Sequence, residues 1–378
     1  MSNLLEYYSW ALPIEFTSLK DLSILVDEGK FPNILELILY ATGYALLFGI
    51  LRIILTKILF RPLAIKGMKL EESWEGSLSF KPDVKIDQSL GGKSTHDKKD
   101  VEFFIKQNKN YSSDTVNKYL WERKRHAAVN MRITKFVEAV WRLVFYFVFC
   151  VMGYYSLFVE EGTVPWINET VNHWKGWPTY GARSITDFSK IWVQMELGCY
   201  IHQLMWTEVN RKDAIEMIVH HISTILLITF SWIVNLTRIG TSILLVHDIA
   251  DIFLEAGKCF NYISKAKGNK WAKGCCDALF GIFAITFGIS RLYVFPKYMV
   301  LSLVYEAPAI FKTYWTGYYI FTALLITLLC LHIFWFSIIA RMVYRLATTG
   351  IDKDERSDDE EYDLDLDQNY EDEQKKKK

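Results

Sequence analysis

The sequence predicts an all-α membrane protein that crosses the bilayer about seven times. Two observations predict this fold class. The chain is 51% hydrophobic and 15% aromatic although 23% of its residues are charged, and these two populations are segregated along it. Apolar runs of the roughly 20 residues that a transmembrane helix needs alternate with short charged loops and two long polar segments.

The predicted spans are apolar runs bounded by charged residues. The runs at 186–206 and 240–262 contain polar groups and give a weaker signal than 34–60 or 316–341, so a six-span interpretation is left open. In chain order the spans are 34–60, 136–159, 186–206, 214–234, 240–262, 274–295 and 316–341.

Charge predicts the orientation of these spans. Lysine and arginine follow the first, third, fifth and seventh spans, and cytosolic loops near span ends are enriched in them. The loop 160–185 instead starts acidic and carries Trp174 and Trp177, which are typical of a belt at the membrane interface. We therefore expect a lumenal N-terminus and a cytosolic C-terminus.

Composition divides the chain into five segments. We expect a lumenal segment at 1–33, the first span at 34–60, a cytosolic segment at 61–134, a membrane domain at 135–345 and an acidic tail at 346–378. The tail is poor in apolar residues and is predicted to be disordered.

Three short sequence signals concern covalent modification and cellular localisation. Asn168 begins a sequon in the lumenal loop and is the candidate for glycosylation. Ser357 precedes acidic residues and is the candidate for phosphorylation in the tail. The chain ends in Lys375–Lys378, which resembles a retrieval address of the endoplasmic reticulum, although these lysines are also compatible with a solvated basic end.

One polar stripe runs along the fifth predicted span. His247, Asp248, Asp251 and Glu255 recur at helical spacings of three, four and seven residues, so they share a face. A charged side chain at the bilayer centre costs roughly 2.5–3.5 kcal/mol on insertion scales. Such residues are rarely kept without a task, so the stripe is the first candidate for chemistry.

The fourth span supplies the opposing half of the candidate site. His220 and His221 lie near its cytosolic end, and Ser231 and Asn235 lie toward the lumen. Antiparallel helices bring the histidines and the carboxylates to a similar depth. An imidazole beside a carboxylate is a better base or nucleophile. The alternative is a set of satisfied polar contacts that hold helices together.

A metal site is a further alternative for these residue types. Di-iron membrane hydroxylases need more clustered histidines than this chain offers, since His96, His126 and His173 lie in polar segments. A single zinc ion is left open by the residue types.

The run 220–262 resembles the signature of the ceramide synthases, the longevity-assurance (Lag1) group of the TLC membrane domain family. Shorter matches to that group are KFVEAVWRLVFY at 135–146, RLYVFP at 291–296, LHIFW at 331–335 and DERSDDEE at 354–361. Within the run, the matching positions are His220, His221, Thr224, Ser231, Asn235, Arg238, Gly240, His247, Asp248, Asp251, Leu254, Glu255, Lys258, Asn261 and Tyr262.

The resemblance implies a fold and an activity. The fold is a TLC-type barrel of six helices around a lipid cavity, plus one N-terminal span. The activity is transfer of a fatty acyl group from acyl-CoA, as co-substrate, to the amine of a sphingoid base such as sphinganine, with no cofactor and no metal. His220 and His221 would handle acyl and proton transfer, with Asp248 and Asp251 orienting them. We favour an acyl-imidazole intermediate over a histidine that acts only as general base.

The resemblance has further implications outside the signature. It places a loop that sets acyl-chain length around 297–315, with Glu306. The terminal lysines, with the expected topology, favour residence in the endoplasmic reticulum membrane. Membrane lipids are expected partners, and dimerisation with itself or with related synthases is left open. The competing interpretation is a non-catalytic TLC protein that senses lipid or assists a translocon.

The cytosolic segment contains a homeobox-like remnant. VNKYLWERKRH at 116–126 resembles the end of a homeobox third helix, with Tyr119 and Leu120 in place of the usual aromatic pair. No convincing pair of helices is predicted before it, and DNA binding needs a complete three-helix unit. We therefore expect no nucleic-acid partner.

Overall fold

The computed structural model describes residues 32–68, 80–90, 98–160, 169–177, 186–206, 213–267 and 269–349. Within these ranges the regular elements are all helical. The helices, labelled here in chain order, are α1 (Ile34–Leu55), α2 (Val84–Leu90), α3 (Lys98–Gln107), α4 (Ser113–Tyr154), α5 (Asp187–Met205), α6 (Ala214–Ile233), α7 (Thr237–Lys267), α8 (Lys270–Phe287) and α9 (Thr316–Thr349).

The predicted class, an all-α polytopic membrane protein, is confirmed. Each of the seven predicted spans falls on a described helix. Two of these helices, α5 and α7, carry the polar groups that weakened their sequence signal, and the count of seven spans stays a prediction. Five helical stretches are long and apolar enough to cross a membrane: Ile34–Gly67, Ser113–Val159, Ala214–Ile233, Lys270–Phe311 and Thr316–Thr348.

The described residues form two compact units. The first contains 32–54, 141–257 and 277–349, and the second contains 55–140 and 258–276. The residues of the candidate site all belong to the first unit.

Helix α5 is held closely against α1 within the first unit. Thr186 caps the start of α5, because its hydroxyl accepts a hydrogen bond from the Ser189 amide at 3.2 Å. At Gly198 the two backbones approach so closely that a Cβ atom would lie 2.7 Å from the Ala41 carbonyl oxygen. This contact fixes the register of α5 and hence the positions of Glu196 and Tyr200.

Helix α8 continues beyond Phe287 instead of ending in a loop. It runs on as π-helix over Gly288–Val300 and Ser302–Glu306 and ends with the turn Ala307–Phe311. The predicted loop at 297–315 is therefore wrong for most of its length. Pro296 lacks an N–H, but its carbonyl accepts from the Leu301 amide five residues on, which is the π-helical pattern.

A short segment at 169–177 packs against this π-helical stretch. Trp174 and Trp177 were predicted at the membrane interface, and the structure buries both inside the protein. Their indole N–H groups find partners there, at 2.9 Å from Ser302 Oγ and 3.0 Å from the Val234 carbonyl oxygen. A buried indole needs such an acceptor, which explains the specific docking.

His173 lies in the middle of this segment and is completely buried. Burial, aided by the positive charge of Arg238, lowers the pKa of His173 from 6.5 to about 4. The Arg238 guanidinium also donates to the carbonyl oxygens of Asn172 and Lys175, at 3.2 and 3.1 Å. The segment is thus held by α7 as well as by the π-helical stretch.

The second unit contains the segment expected to hold a homeobox-like remnant. Helices α2 and α3 precede the start of α4, so the expectation that no helix pair stands there is wrong. With 7 and 10 residues, these helices are too short to give a clear periodic signal in sequence. They share a small core with α4, formed by Ile86, Leu90, Val101, Phe104 and Val116.

Candidate active site

Helices α6 and α7 form an antiparallel hairpin that positions the candidate site. Asn235 ends α6 in a left-handed conformation, with φ of 60°. The amide of Leu236 bonds to the Ser231 carbonyl at 2.7 Å and that of Asn235 to the Trp232 carbonyl at 3.2 Å, which is a Schellman-type helix end. Asn235, predicted on the fourth span as a residue that supports the stripe, thus has a backbone role.

The two helices approach closely just beyond this turn. A Cβ atom on Gly240 would lie 3.3 Å from the Ser231 Cβ atom. Ser231, the other supporting residue on α6, therefore marks the contact between the helices and also lines the pocket described below. The close contact aligns the histidines of α6 with the carboxylates of α7.

The histidine pair lies on the buried face of α6. His220 and His221 are 8% and 5% exposed, and their ring centroids are 5.7 Å apart. Tyr200 packs against both rings, with centroid distances of 6.4 Å to His220 and 6.0 Å to His221. Trp335 packs edge-on against His220, with ring centroids 5.4 Å apart. Among the described residues, Nδ1 of His220 has no hydrogen-bond partner. This nitrogen is therefore buried and not committed to another protein group.

Asp248 is buried on the stripe of α7 beside a second carboxyl group. Its carboxyl group lies within reach of the Glu196 carboxyl group of α5, and Glu196 also accepts from the Trp192 indole at 3.1 Å. Two neighbouring carboxyl groups can share one proton through a hydrogen bond. The pair is therefore arranged to accept or release a proton.

Asp251, one turn further on, is paired with an arginine. Nη2 of Arg291 lies 2.6 Å from Asp251 Oδ2 and donates to the His247 carbonyl oxygen at 2.8 Å. Arg142 of α4 makes the corresponding ion pair with Glu255, at 3.2 Å. Each of these two α7 carboxylates thus has a cationic partner on another helix, which lowers the cost of burying it.

His247 faces a fourth imidazole, that of His332 on α9. Their Nε2 atoms are 3.1 Å apart, and His247 Nδ1 lies 2.7 Å from the Ile243 carbonyl oxygen. Phe295, from the π-helical stretch, packs edge-on against both rings at 5.0 and 5.2 Å. Phe287 also packs edge-on against His332, with ring centroids 6.2 Å apart.

A pocket opens from this polar cluster between α5, α6, α7 and α9. It holds about 550 Å³ of empty space, part of it open to the surroundings. Tyr200, Thr224 and His247 line the end near the histidines, and most of the remaining wall is apolar. The lining residues are Val193, Tyr200, Thr224, Leu227, Ile228, Ser231, Trp232, Thr237, Gly240, Thr241, Ile243, Leu244, His247 and Leu328.

The arrangement suits acid–base or nucleophilic chemistry on a molecule with a long apolar part. An available imidazole, a pair of carboxyl groups and an apolar slot meet within one helical unit. In the part of the chain that the structure describes, no three histidine, cysteine or carboxylate side chains are grouped to hold a metal ion.

Sequence reasoning identified six of these residues and missed others. His220, His221, His247, Asp248, Asp251 and Glu255 lie in this region, whereas Asn168 and Ser357 lie outside the described residues. The residues missed are Arg142, Glu196, Tyr200, Arg291 and His332. Four of the five are ionisable groups on predicted spans, and the cost of such groups in a bilayer was the signal that could have found them.

Comparisons with known proteins give consistent results. The family model described as TLC domain matches residues 135–341. Ceramide synthase 4 from Bos taurus and from Homo sapiens are each 37% identical over 247 residues, which cover 64% of this chain and only 59% of each relative. Ceramide synthase 3 from Homo sapiens is 30% identical over 328 residues, 86% of this chain and 80% of that protein.

Proposed function

Because the chain belongs to the TLC domain family and to its ceramide synthase members, we propose that it is an N-acyltransferase that moves a fatty acyl group from acyl-CoA to a sphingoid base. The observation that carries this proposal is the position of the histidine pair. Tyr200 contacts both His220 and His221 and also lines the apolar pocket. An acyl chain in that pocket would have its reactive end beside the imidazoles.

In the proposed reaction, the uncommitted nitrogen of His220 attacks the thioester carbonyl carbon. The carbon–sulfur bond breaks, and CoA leaves as a thiolate that takes up a proton. The amine of the sphingoid base then attacks the acyl-imidazole, which forms the amide and returns the imidazole. His221, adjacent on the helix, is the second candidate for this role. A general-base route, with direct attack of the amine, uses the same residues.

The carboxyl groups divide into two roles in this proposal. The Asp248–Glu196 pair accepts the proton that the ammonium form of the amine must lose, because Asp248 Oδ2 has no hydrogen-bond partner among the described residues. Asp251 orients the site through its ion pair with Arg291. Neither role needs a cofactor or a metal ion, because transfer from a thioester to an amine is downhill.

The setting of the reaction follows from the sequence signals. We propose that the protein resides in the endoplasmic reticulum membrane with its N-terminus in the lumen. CoA would stay at the cytosolic side while the acyl chain extends toward the lumen along α6 and α7. The partners are acyl-CoA, a sphingoid base and membrane lipids, and dimerisation with related synthases is the remaining expectation.

An acyl-transfer assay tests the proposal. The purified protein is supplied with acyl-CoAs of graded length plus sphinganine, and the amide product is measured beside His220→Ala, His221→Ala and Asp251→Asn. Thr327→Val is the matched control, because Thr327 lies on α9 and its hydroxyl bonds only to the Ala323 carbonyl of its own helix in the described structure.

The wild-type protein and the control should form product, and the site variants should lose most of it. Undiminished product from all three site variants would overturn the site assignment. Absence of product from the wild-type protein with every acyl-CoA would favour the non-catalytic role instead.

A further inference from the structure

The site contains more imidazoles than one acyl transfer needs. His247 lines the pocket, so an acyl-CoA bound there would meet its ring as well as the histidine pair. An imidazole attacks a thioester only through a nitrogen that carries a free lone pair. Which nitrogens are free therefore decides which histidines can be acylated.

The hydrogen bonds of His247 define its tautomer. The Ile243 carbonyl oxygen, 2.7 Å from Nδ1, can only accept, so Nδ1 carries the proton. In the neutral ring Nε2 then holds the lone pair, and His332 Nε2, at 3.1 Å, must be the donor to it.

His332 is itself enclosed. Its side chain is completely buried, with Phe287 at 6.2 Å and Phe295 at 5.2 Å from its ring. These aromatic rings fix its orientation, so the N–H is directed at His247 and the pocket wall on α9 is formed by Leu328, one turn away.

From this geometry we propose that His332 is a positioning residue that keeps His247 out of the acyl transfer by occupying its only lone pair. The proposal rests on the proposed function, since it presumes a thioester in the pocket. It explains why a pocket-lining histidine can stand beside a reactive acyl group without being consumed. The histidine pair on α6 then remains the acceptor.

The test is to map acyl adducts on the full-length protein. The protein is incubated with palmitoyl-CoA without a sphingoid base, digested, and the peptides that contain His220–His221 and His247 are compared by mass spectrometry. His332→Phe removes the donor and keeps a ring among aromatic neighbours. His332→Gln keeps an N–H donor at a similar reach and is the matched control.

In His332→Phe, acylation of His247 should rise about tenfold, the ratio that corresponds to release of one neutral hydrogen bond. The adduct should disappear in the double variant His332→Phe/His247→Phe, and His332→Gln should match the wild-type protein. Equal His247 acylation in wild type and His332→Phe would overturn the proposal.

Size-exclusion chromatography checks that each variant is folded. A second donor-free variant, His332→Leu, should behave like His332→Phe. If neither variant folds, carbethoxylation of the native wild-type protein tests the proposal instead. An occupied lone pair should leave His247 unmodified, and modification of His247 would refute the idea. A wild-type protein that releases no CoA even with sphinganine present would overturn the proposed function, and this inference with it.

Discussion

Replacing Arg291 with leucine should destabilise the protein far more than replacing Arg291 and Asp251 together. The single change leaves the Asp251 carboxylate, whose side chain is 18% exposed, without its guanidinium. The double change removes both charges and leaves a low-polarity contact. The difference between the two variants measures the coupling of this ion pair.

The size of the effect follows from the geometry. At an effective dielectric constant of about 20, unit charges as close as Nη2 and Oδ2 attract by on the order of 5 kcal/mol, and desolvation offsets much of this. Breaking such a buried pair from one side typically costs about 3–5 kcal/mol. The Arg291 side chain is only 5% exposed and also donates to the His247 carbonyl oxygen at 2.8 Å, so we expect the upper part of that range.

Thermal unfolding of the detergent-solubilised protein is the measurement. Arg291→Leu and Asp251→Leu should each lower the midpoint by roughly 5–10 °C, and the double variant should recover most of the loss. Arg341→Leu is the control, because Arg341 is exposed on α9 and its Nε donates to the Ser337 carbonyl of the same helix. A double variant no more stable than either single variant would refute the reasoning.

Three further predictions concern the scaffold. Gly198→Ala should cost about 1–3 kcal/mol of unfolding free energy because its Cβ meets the α1 backbone, whereas Gly274→Ala, with open space around it, should be neutral or slightly stabilising in the same assay. Asn235→Ala should cost about 1–2 kcal/mol through its left-handed backbone, whereas Asn235→Gly should be nearly neutral in chemical denaturation. Because the pKa of His173 is lowered to about 4, stability should be constant above pH 6.5 and fall by roughly 3 kcal/mol between pH 6.5 and 4, and His173→Phe should flatten this part of the pH profile.

The stripe on α7 could be predicted because its four ionisable groups repeat at helical spacing. Their partners could not be predicted in the same way. The partners lie on three different helical segments: Glu196 on α5, Arg291 on the π-helical stretch and His332 on α9. The periodicity of any single segment therefore contains no information about these pairings. The pairing of Asp251 with Arg291 is a tertiary contact that only the packing of two helices defines.

Two other differences have the same origin. Trp174 and Trp177 match an interface belt by residue type, yet both are buried and donate hydrogen bonds to Ser302 and Val234. These bonds join distant parts of the chain, so the residue types alone do not predict them. The loop expected at 297–315 is helical for most of its length. The backbone adopts the wider i→i+5 pattern there, for which residue propensities give no signal.

The long helix that begins at Lys270 makes contacts with other elements at two separated points. Arg291 meets Asp251 near the histidines, and Glu306 accepts a hydrogen bond from Thr170 of the segment 169–177 further along. Each residue inserted into or deleted from a helix turns everything beyond it by roughly a quarter of a turn. The stretch between these contacts should therefore not tolerate a change of length, and related sequences that share both contacts should align across 291–306 without a gap.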